Sequence, residues 1–376
     1  MGASALGLYL HVPFCEAICN YCNFNRGLFD AGLKSRYLDS LSLEISSCGE
    51  AVRVDTIFFG GGTPSVLEPS DVSKLVTRCR SSFEVDPTAE ITIEMNPETA
   101  SRERLDGYRA AGVNRLSLGV QSFRDEELRR LGRIHTVDRA LAAFGLARSA
   151  GFDDISVDLM IWLPEQTVGH WIESVDTLIS LDPDHASLYL LELYPNAPLQ
   201  EEMARKDWFL APDETAVEMY HVGLDRLDAA GYCQYEISNV SKPGRHSRHN
   251  LKYWSDGEWV GFGCGAHSTR EGRRWHNVTG IGDYMDRLSS GTNPVADSRN
   301  LSAEERLADA LFLGLRLSEG LDLPIVERRY SVDVWSRWGD ELAPFVEAGL
   351  VEASPARLRL TREGMLLANE VMRVFV

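Results

Sequence analysis

The first half of the chain alternates short apolar runs with longer stretches in which apolar positions recur every three or four residues. The runs LGLYLHV (6–12), DTIFFG (55–60), EITIEMN (90–96), RLSLGVQ (115–121), DISVDLMIW (154–162) and HASLYLLEL (185–193) predict six strands. Between them, Val72, Leu75, Val76 and Cys79 fall on one helical face, with Ser70 or Asp71 placed to cap its start. Val137, Leu141 and Phe144, then Val168, Trp171, Val175 and Leu178, repeat the helical spacing. Gly112 and Gly151 stand where helices should stop.

Strand–helix units in series imply parallel strands joined by right-handed crossovers. An open doubly wound sheet would gather its unusual residues at one switch point. Here they lie at the C-terminal end of nearly every strand: Cys15 to Cys22, GGGTPS (60–65), Glu94, Gln121 and Asp158. That distribution predicts an α/β fold closing into a partial, TIM-like (β/α)6 barrel with its site on this rim. After about residue 200 the alternation fades. A helix is expected over 213–231, then a strand CQYEISNV, a basic loop SKPGRHSRHNLKYW and a glycine-rich GFGCGAHS. From Leu301 the pattern is helical, and the loop SGTNPVADS sets a boundary near residue 295.

Composition narrows the class. A chain of 376 residues calls for one large domain and a smaller one. The net charge of -18 argues against a nucleic-acid partner, because phosphate binding needs a basic surface. It argues equally against DNA binding by a winged-helix-like terminal unit. No run has the apolar length to span a bilayer, which leaves only peripheral membrane contact open. The N-terminal MGASALGLYLHVPF has no basic leader, and Leu6 stands where a myristoylation signal needs Ser or Thr. Seven cysteines, three of them clustered, do not make a disulfide scaffold and indicate a reducing, cytoplasmic compartment.

The three clustered cysteines, Cys15, Cys19 and Cys22, form a C-x3-C-x2-C array. A structural zinc site closes at four ligands and usually draws on two separated pairs, and no second pair exists here. Iron–sulfur clusters of electron carriers also want four thiolates. Three thiolates on a four-iron cube leave one iron open for a substrate. Around them, the GGGTPS glycines let backbone approach a ligand closely. Glu94 and Asp158 suit ribose hydroxyls, and Gln121 and Arg133 add a neutral and a cationic donor.

These runs, with EMNPE, LGRIHT, QYEISN, SRHNLKYW and GCGAHS, resemble the radical S-adenosylmethionine (SAM) enzymes of the oxygen-independent coproporphyrinogen III oxidase superfamily over nearly the whole chain. The resemblance implies a [4Fe–4S] cluster on Cys15, Cys19 and Cys22. It implies SAM contacts from Tyr9, Tyr21, Gly61, Gly62, Thr63, Glu94, Gln121, Arg133 and Asp158, with reductive cleavage of SAM as the chemistry. Accordingly 1–200 would be the radical SAM partial barrel, 201–295 an α/β extension, and 296–376 a small, mostly helical, winged-helix-like domain.

Within that superfamily the chain is similar to the HemW-type heme chaperones. The oxidase continues its motif with a fourth cysteine where Phe24 stands, and H-N-x-x-Y-W is present as His249, Asn250, Tyr253 and Trp254. The resemblance implies a protein that binds heme and delivers it to heme-requiring acceptors, respiratory or storage proteins. The alternatives are the oxidase itself and radical SAM chemistry on an unrelated substrate. His249 and His267 are the candidate heme ligands. His11 and His135, beside cluster and SAM positions, suit local structural roles. The basic Arg245, His246 and Arg248 could meet heme propionates or form a solvated loop. Departures from the family pattern are Ile18 for lysine, Asn23 for aspartate, and Trp162 and Glu165 for two glycines of YGLPGQT. The last two are expected to reshape the substrate side of the cavity.

Overall fold

The computed structural model describes residues 5–195 and 197–376; residues 1–4 of the run read as leaderless lie outside them. Six parallel strands form on the six apolar runs. They are β1 (Leu6–Val12), β2 (Arg53–Gly61), β3 (Glu84–Met95), β4 (Arg115–Gln121), β5 (Ile155–Ile161) and β6 (His185–Leu190). Each pairs in parallel with the next, as strand–helix repeats require.

The segment after residue 230 extends this sheet at both edges. At one edge, β7 (Cys233–Glu236) and β8 (Asn239–Ser241) form an antiparallel pair beside β6. CQYEISNV is therefore two strands, folded back at Ile237 and Ser238. At the other edge, β9 (Trp259–Phe262) joins β1 as a seventh parallel strand. Antiparallel β10 (His267–Arg270), β11 (Arg273–Asn277) and β12 (Val295–Asn300) follow it. The order is β12-β11-β10-β9-β1-β2-β3-β4-β5-β6-β8-β7, and among the described residues the two edges do not pair. The barrel is partial.

Helices cover the outer face. Thr136 and Thr167 accept hydrogen bonds from the Arg139 and His170 amides and so cap Val137–Ser149 and Val168–Leu181. The helix Pro69–Ser82 starts earlier than the Ser70 or Asp71 cap expected for it. Glu68 is its N-cap, and the Asp71 carboxylate accepts from the Glu68 amide at 3.2 Å. The C-terminal segment has its own core, including Leu311, Leu342, Leu358 and Val371. Three helices, Ala303–Gly314, Leu323–Tyr330 and Val334–Glu347, accompany a small antiparallel sheet of Leu321–Asp322, Val351–Ala353 and Arg357–Leu360. The buried Glu236 carboxylate ties this unit to β7 by accepting from Arg316 Nη2 at 3.1 Å. The same guanidinium lies 4.3 Å over the Trp254 ring. No helix among the described residues is long and apolar enough to cross a membrane.

The helix Asp213–Ala229 packs on Val168–Leu181 through Gly223. A Cβ at Gly223 would lie 2.5 Å from Trp171 Nε1, which is fixed by donation to the Met219 carbonyl at 2.7 Å. The indole cannot yield without losing that bond. Gly223→Ala should therefore cost about 1–3 kcal/mol in urea unfolding. Gly145→Ala, in a helix with nothing within 4 Å of the new Cβ, should stabilise by about 0.5–1 kcal/mol. Equal effects would contradict this packing.

Candidate functional site

The rim is built by backbone continuity between β1 and β2. Beyond the paired strands, the Gly62 amide donates to the Val12 carbonyl at 2.8 Å and the Thr63 amide to the Phe14 carbonyl at 2.8 Å. This holds Phe14–Cys15 against GGGT so tightly that a Cβ at Gly62 would lie 3.0 Å from Cys15 Sγ and 2.9 Å from the Phe14 carbonyl oxygen. Gly61 adopts φ +119°, and a Cβ there would meet the His11 ring at 2.6 Å. Glycine is required at both positions for these reasons.

From Cys15 a line of polar contacts crosses the rim. Thr63 hydrogen-bonds the Cys15 thiol and its hydroxyl accepts from Asn96 Nδ2 at 3.2 Å. Asn96 Oδ1 accepts from Arg133 Nη2 at 2.8 Å, and Arg133 Nη1 reaches Cys19 Sγ at 3.5 Å. Gln121 ends β4 in the left-handed region (φ 71°), and its Nε2 and Arg133 Nη2 converge over Gly119. Tyr21 stands half-buried beside Arg133, and Arg26 donates to the Cys22 carbonyl. Burial pushes the Cys15 and Cys22 thiols up; Cys22 and Cys19 raise Cys15 further, and Cys19 raises Cys22. Burial weighs against the charged Arg133 side chain, yet Tyr21, Cys19 and Glu98 hold its pKa above the ordinary value. Three adjacent thiols with a cation beside them and a glycine cradle below are a donor set that fits a cluster with an open position. Arg133 Nε has no hydrogen-bond partner among the described residues.

Below the rim lies a cavity of about 170 Å³ inside the strands, lined by Tyr9, Glu94, Asp158, Arg115 and Tyr253 among others. Glu94 accepts from the Gly61 amide at 3.1 Å. Asp158 accepts from Ser117 Oγ at 3.1 Å and is also bonded by Ser156 and Ser187. Burial, then Asp158, holds the Glu94 carboxyl up at about 8, while burial raises Asp158 against its three hydroxyl donors.

Of the residues singled out in the sequence, the three cysteines, Gly61, Gly62, Thr63, Gln121, Arg133 and Tyr21 meet on the rim, and Tyr9, Glu94 and Asp158 line the cavity beneath. The two heme candidates differ. His249 is buried, with Nδ1 2.8 Å from Thr56 Oγ1 and Nε2 2.9 Å from the Tyr253 hydroxyl. Burial and then Lys252 push its pKa down to about 3. Both ring nitrogens are occupied, so ligation by His249 would require one of these bonds to break. His267 is exposed at the start of β10. His11 and His135 pin loops, through the Asn25 carbonyl at 2.8 Å and the Val120 carbonyl at 3.2 Å.

Trp162 and Glu165 do occupy the left-handed region (φ 65° and 61°), which explains why glycine suits these positions. Their side chains nevertheless turn away from the cavity, contrary to expectation. The Trp162 indole donates to the Ala211 carbonyl at 2.7 Å, and the Glu165 carboxylate accepts from the Phe209 amide at 2.7 Å. The sequence reading did not single out Asn96 or the three serines. The signal for the serines is a polar residue at alternate positions inside the apolar runs RLSLGVQ, ISVDLMI and HASLYL, which marks an inner polar face.

A carboxyl raised in the folded state keeps a proton that the unfolded chain releases near 4.5. The stability Glu94 contributes is thus fully present below about pH 4.5 and is lost as pH rises through about 8. Glu94→Gln should flatten this decline and stand about 1–3 kcal/mol above the parent at the alkaline end, read from urea unfolding across the range. Parallel curves would contradict the raised carboxyl.

Comparison with known proteins agrees with this geometry. Residues 9–178 match the radical SAM superfamily and residues 301–367 the HemN C-terminal domain. The chain is 37% identical over 372 residues to the heme chaperone HemW of Bacillus subtilis (strain 168), covering 98% of each. It is 34% identical over 386 residues to the heme chaperone HemW of Mycobacterium tuberculosis (strain ATCC 25618 / H37Rv), covering 100% of this chain and 96% of that one. The fold matches coproporphyrinogen III oxidase (HemN) from Escherichia coli with a TM-score of 0.88 at 24% identity, over 99% of this chain and 90% of that one. Identity at that level shows a shared fold. The polar rim, the partial barrel and the near full-length relatives together place the chain in the HemW family of the radical SAM superfamily.

Proposed function

We propose that the chain is a heme chaperone, which binds heme beside a cluster-bearing rim and delivers it to heme-requiring acceptor proteins. The observation that carries this reading is the similarity, over nearly the whole chain, to proteins named heme chaperones. Phe24, 63% exposed where the oxidase has a fourth cysteine, supports it against the oxidase alternative.

In this reading Cys15, Cys19 and Cys22 hold a [4Fe–4S] cluster, and Tyr9, Tyr21, Gly61, Gly62, Thr63, Glu94, Gln121, Arg133 and Asp158 hold SAM. When bound, these groups supply one-electron reductive chemistry that no side chain here offers. The chain's own residues position and screen. Thr63 orients Cys15, and Arg133 sets a half-buried cation beside Cys19 while Asn96 and the Gly119 carbonyl fix its direction. Glu94 and Asp158 present carboxyls to the cavity, where they suit ribose hydroxyls. Tyr9, stacked on Phe58 at 6.2 Å, walls that cavity from the interior of the sheet.

Replacing Cys15, Cys19 or Cys22 singly with alanine should abolish iron and acid-labile sulfide after anaerobic reconstitution, whereas Cys79→Ala, on a buried helix face, should leave both intact. Purified protein carrying zinc without iron would contradict the cluster assignment. Titrating reconstituted protein with heme should give one heme per chain by optical spectroscopy. The same sample given coproporphyrinogen III, SAM and reductant should form no protoporphyrinogen. Turnover of that substrate would establish the oxidase instead.

A further inference from the structure

Across β10 and β11, His267 stands directly opposite His276, and the two rings stack with centroids 5.0 Å apart at 29°. Directly opposed residues on neighbouring strands share one face of the sheet. Trp275 and Arg273, on the alternate positions, turn to the other face, where Trp275 packs against the main core. The face bearing the histidines continues toward Arg274, opposite Thr269, and toward Trp259. Trp259 in turn meets Tyr253 edge-on at 4.6 Å, so an aromatic wall runs from the barrel cavity to the histidine pair.

The chain just before His267 touches the loop that carries the cysteines. Asn25 Nδ2 donates to the Cys264 carbonyl at 3.0 Å, and a Cβ at Gly265 would lie 2.6 Å from the same nitrogen. His267 follows two residues later.

The ring environment selects a tautomer. His276 Nδ1 lies 3.1 Å from the Asn277 carbonyl, which can only accept, so Nδ1 carries the proton and Nε2 keeps its lone pair. A carbonyl behind one nitrogen is the usual support of a ligating imidazole. His267 spends its backbone carbonyl on the Trp259 indole at 3.0 Å and leaves its ring exposed.

Two imidazoles are too few for a closed divalent-cation site, which wants about four ligands. Among the described residues no third His, Cys, Asp or Glu joins the pair to complete one. Heme iron asks less, because the porphyrin supplies the equatorial nitrogens and the protein adds only an axial ligand. Two rings stacked on the same sheet face cannot sandwich a porphyrin between them, so one ligates and the other braces it.

We infer that His276 is an axial heme ligand through Nε2, braced by His267. This rests on the heme-chaperone reading and names the heme site within it. An exposed, singly ligated heme suits a protein that must give its cargo away.

The test is hemin titration of the full, cluster-reconstituted chain and of His276→Ala, His267→Ala and the double variant, followed by Soret and EPR spectra. His276→Ala should bind hemin roughly tenfold more weakly and lose the imidazole-ligated spectrum. His267→Ala should weaken binding roughly two- to threefold, and the double variant should regain the ligated spectrum on addition of free imidazole. Unchanged thermal unfolding of the variants will show that the fold is kept. A double variant with parental affinity and spectrum would overturn this site while leaving the chaperone reading standing. Failure of the parent chain to bind hemin at all would overturn both.

Discussion

The contact on which the site depends is that between Gly62 and the short strand carrying Cys15. Two backbone hydrogen bonds prolong the β1–β2 ladder past the ends of the paired strands, and only a residue without a side chain fits against Phe14 and Cys15 at that separation. The consequence spreads outward. With Cys15 fixed over the mouth of the sheet, Thr63 reaches its thiol, Asn96 reaches Thr63, and Arg133 bridges Asn96 to Cys19. A rim of separate loops becomes one connected surface through this single close approach.

The polar interior runs against stability. Arg115 is buried and Glu94, Asp158 and Arg133 are half-buried, and such groups cost free energy unless they are paired. Asp158 is satisfied by three hydroxyls, and Arg115 by the Asp154 carboxylate at 2.5 Å. Arg133 Nε and Thr92 Oγ1 remain without partners among the described residues. Buried groups left in that condition are expected where a polar ligand is to be received. The surrounding shell is apolar, and it carries the cost: the outer faces of the strands bury side chains such as Leu8, Ile57, Ile93 and Leu118.

Much of this was legible in the sequence, because the six barrel strands announce themselves as apolar runs, each with an outer row of buried apolar side chains. The seventh parallel strand was not. WVGF is four residues long and pairs with β1 across some 250 positions of chain, so no local pattern could reveal it. The hairpin inside CQYEISNV was hidden for a similar reason, since its turn at Ile237 and Ser238 has neither glycine nor proline. The cysteines of the rim were readable by spacing and its other motif residues by their place at strand ends or through the family resemblance, but their connector Asn96 was not, because an asparagine after a strand reads first as a turn former. The histidine pair was half visible: His267 stood in a glycine-rich motif, whereas His276 acquires meaning only from the strand register. Trp162 and Glu165 show the converse. Their departure from glycine was plain, yet where their side chains point depends on the 209–211 segment that receives them.

The central claim is that three thiolates hold a cluster whose remaining iron is open to SAM. EPR of the reduced, reconstituted chain with and without SAM tests it most directly. The account predicts a single cluster signal whose g values move when SAM is added, because the ligand enters the coordination sphere of the open iron. Identical spectra in the two samples would contradict it.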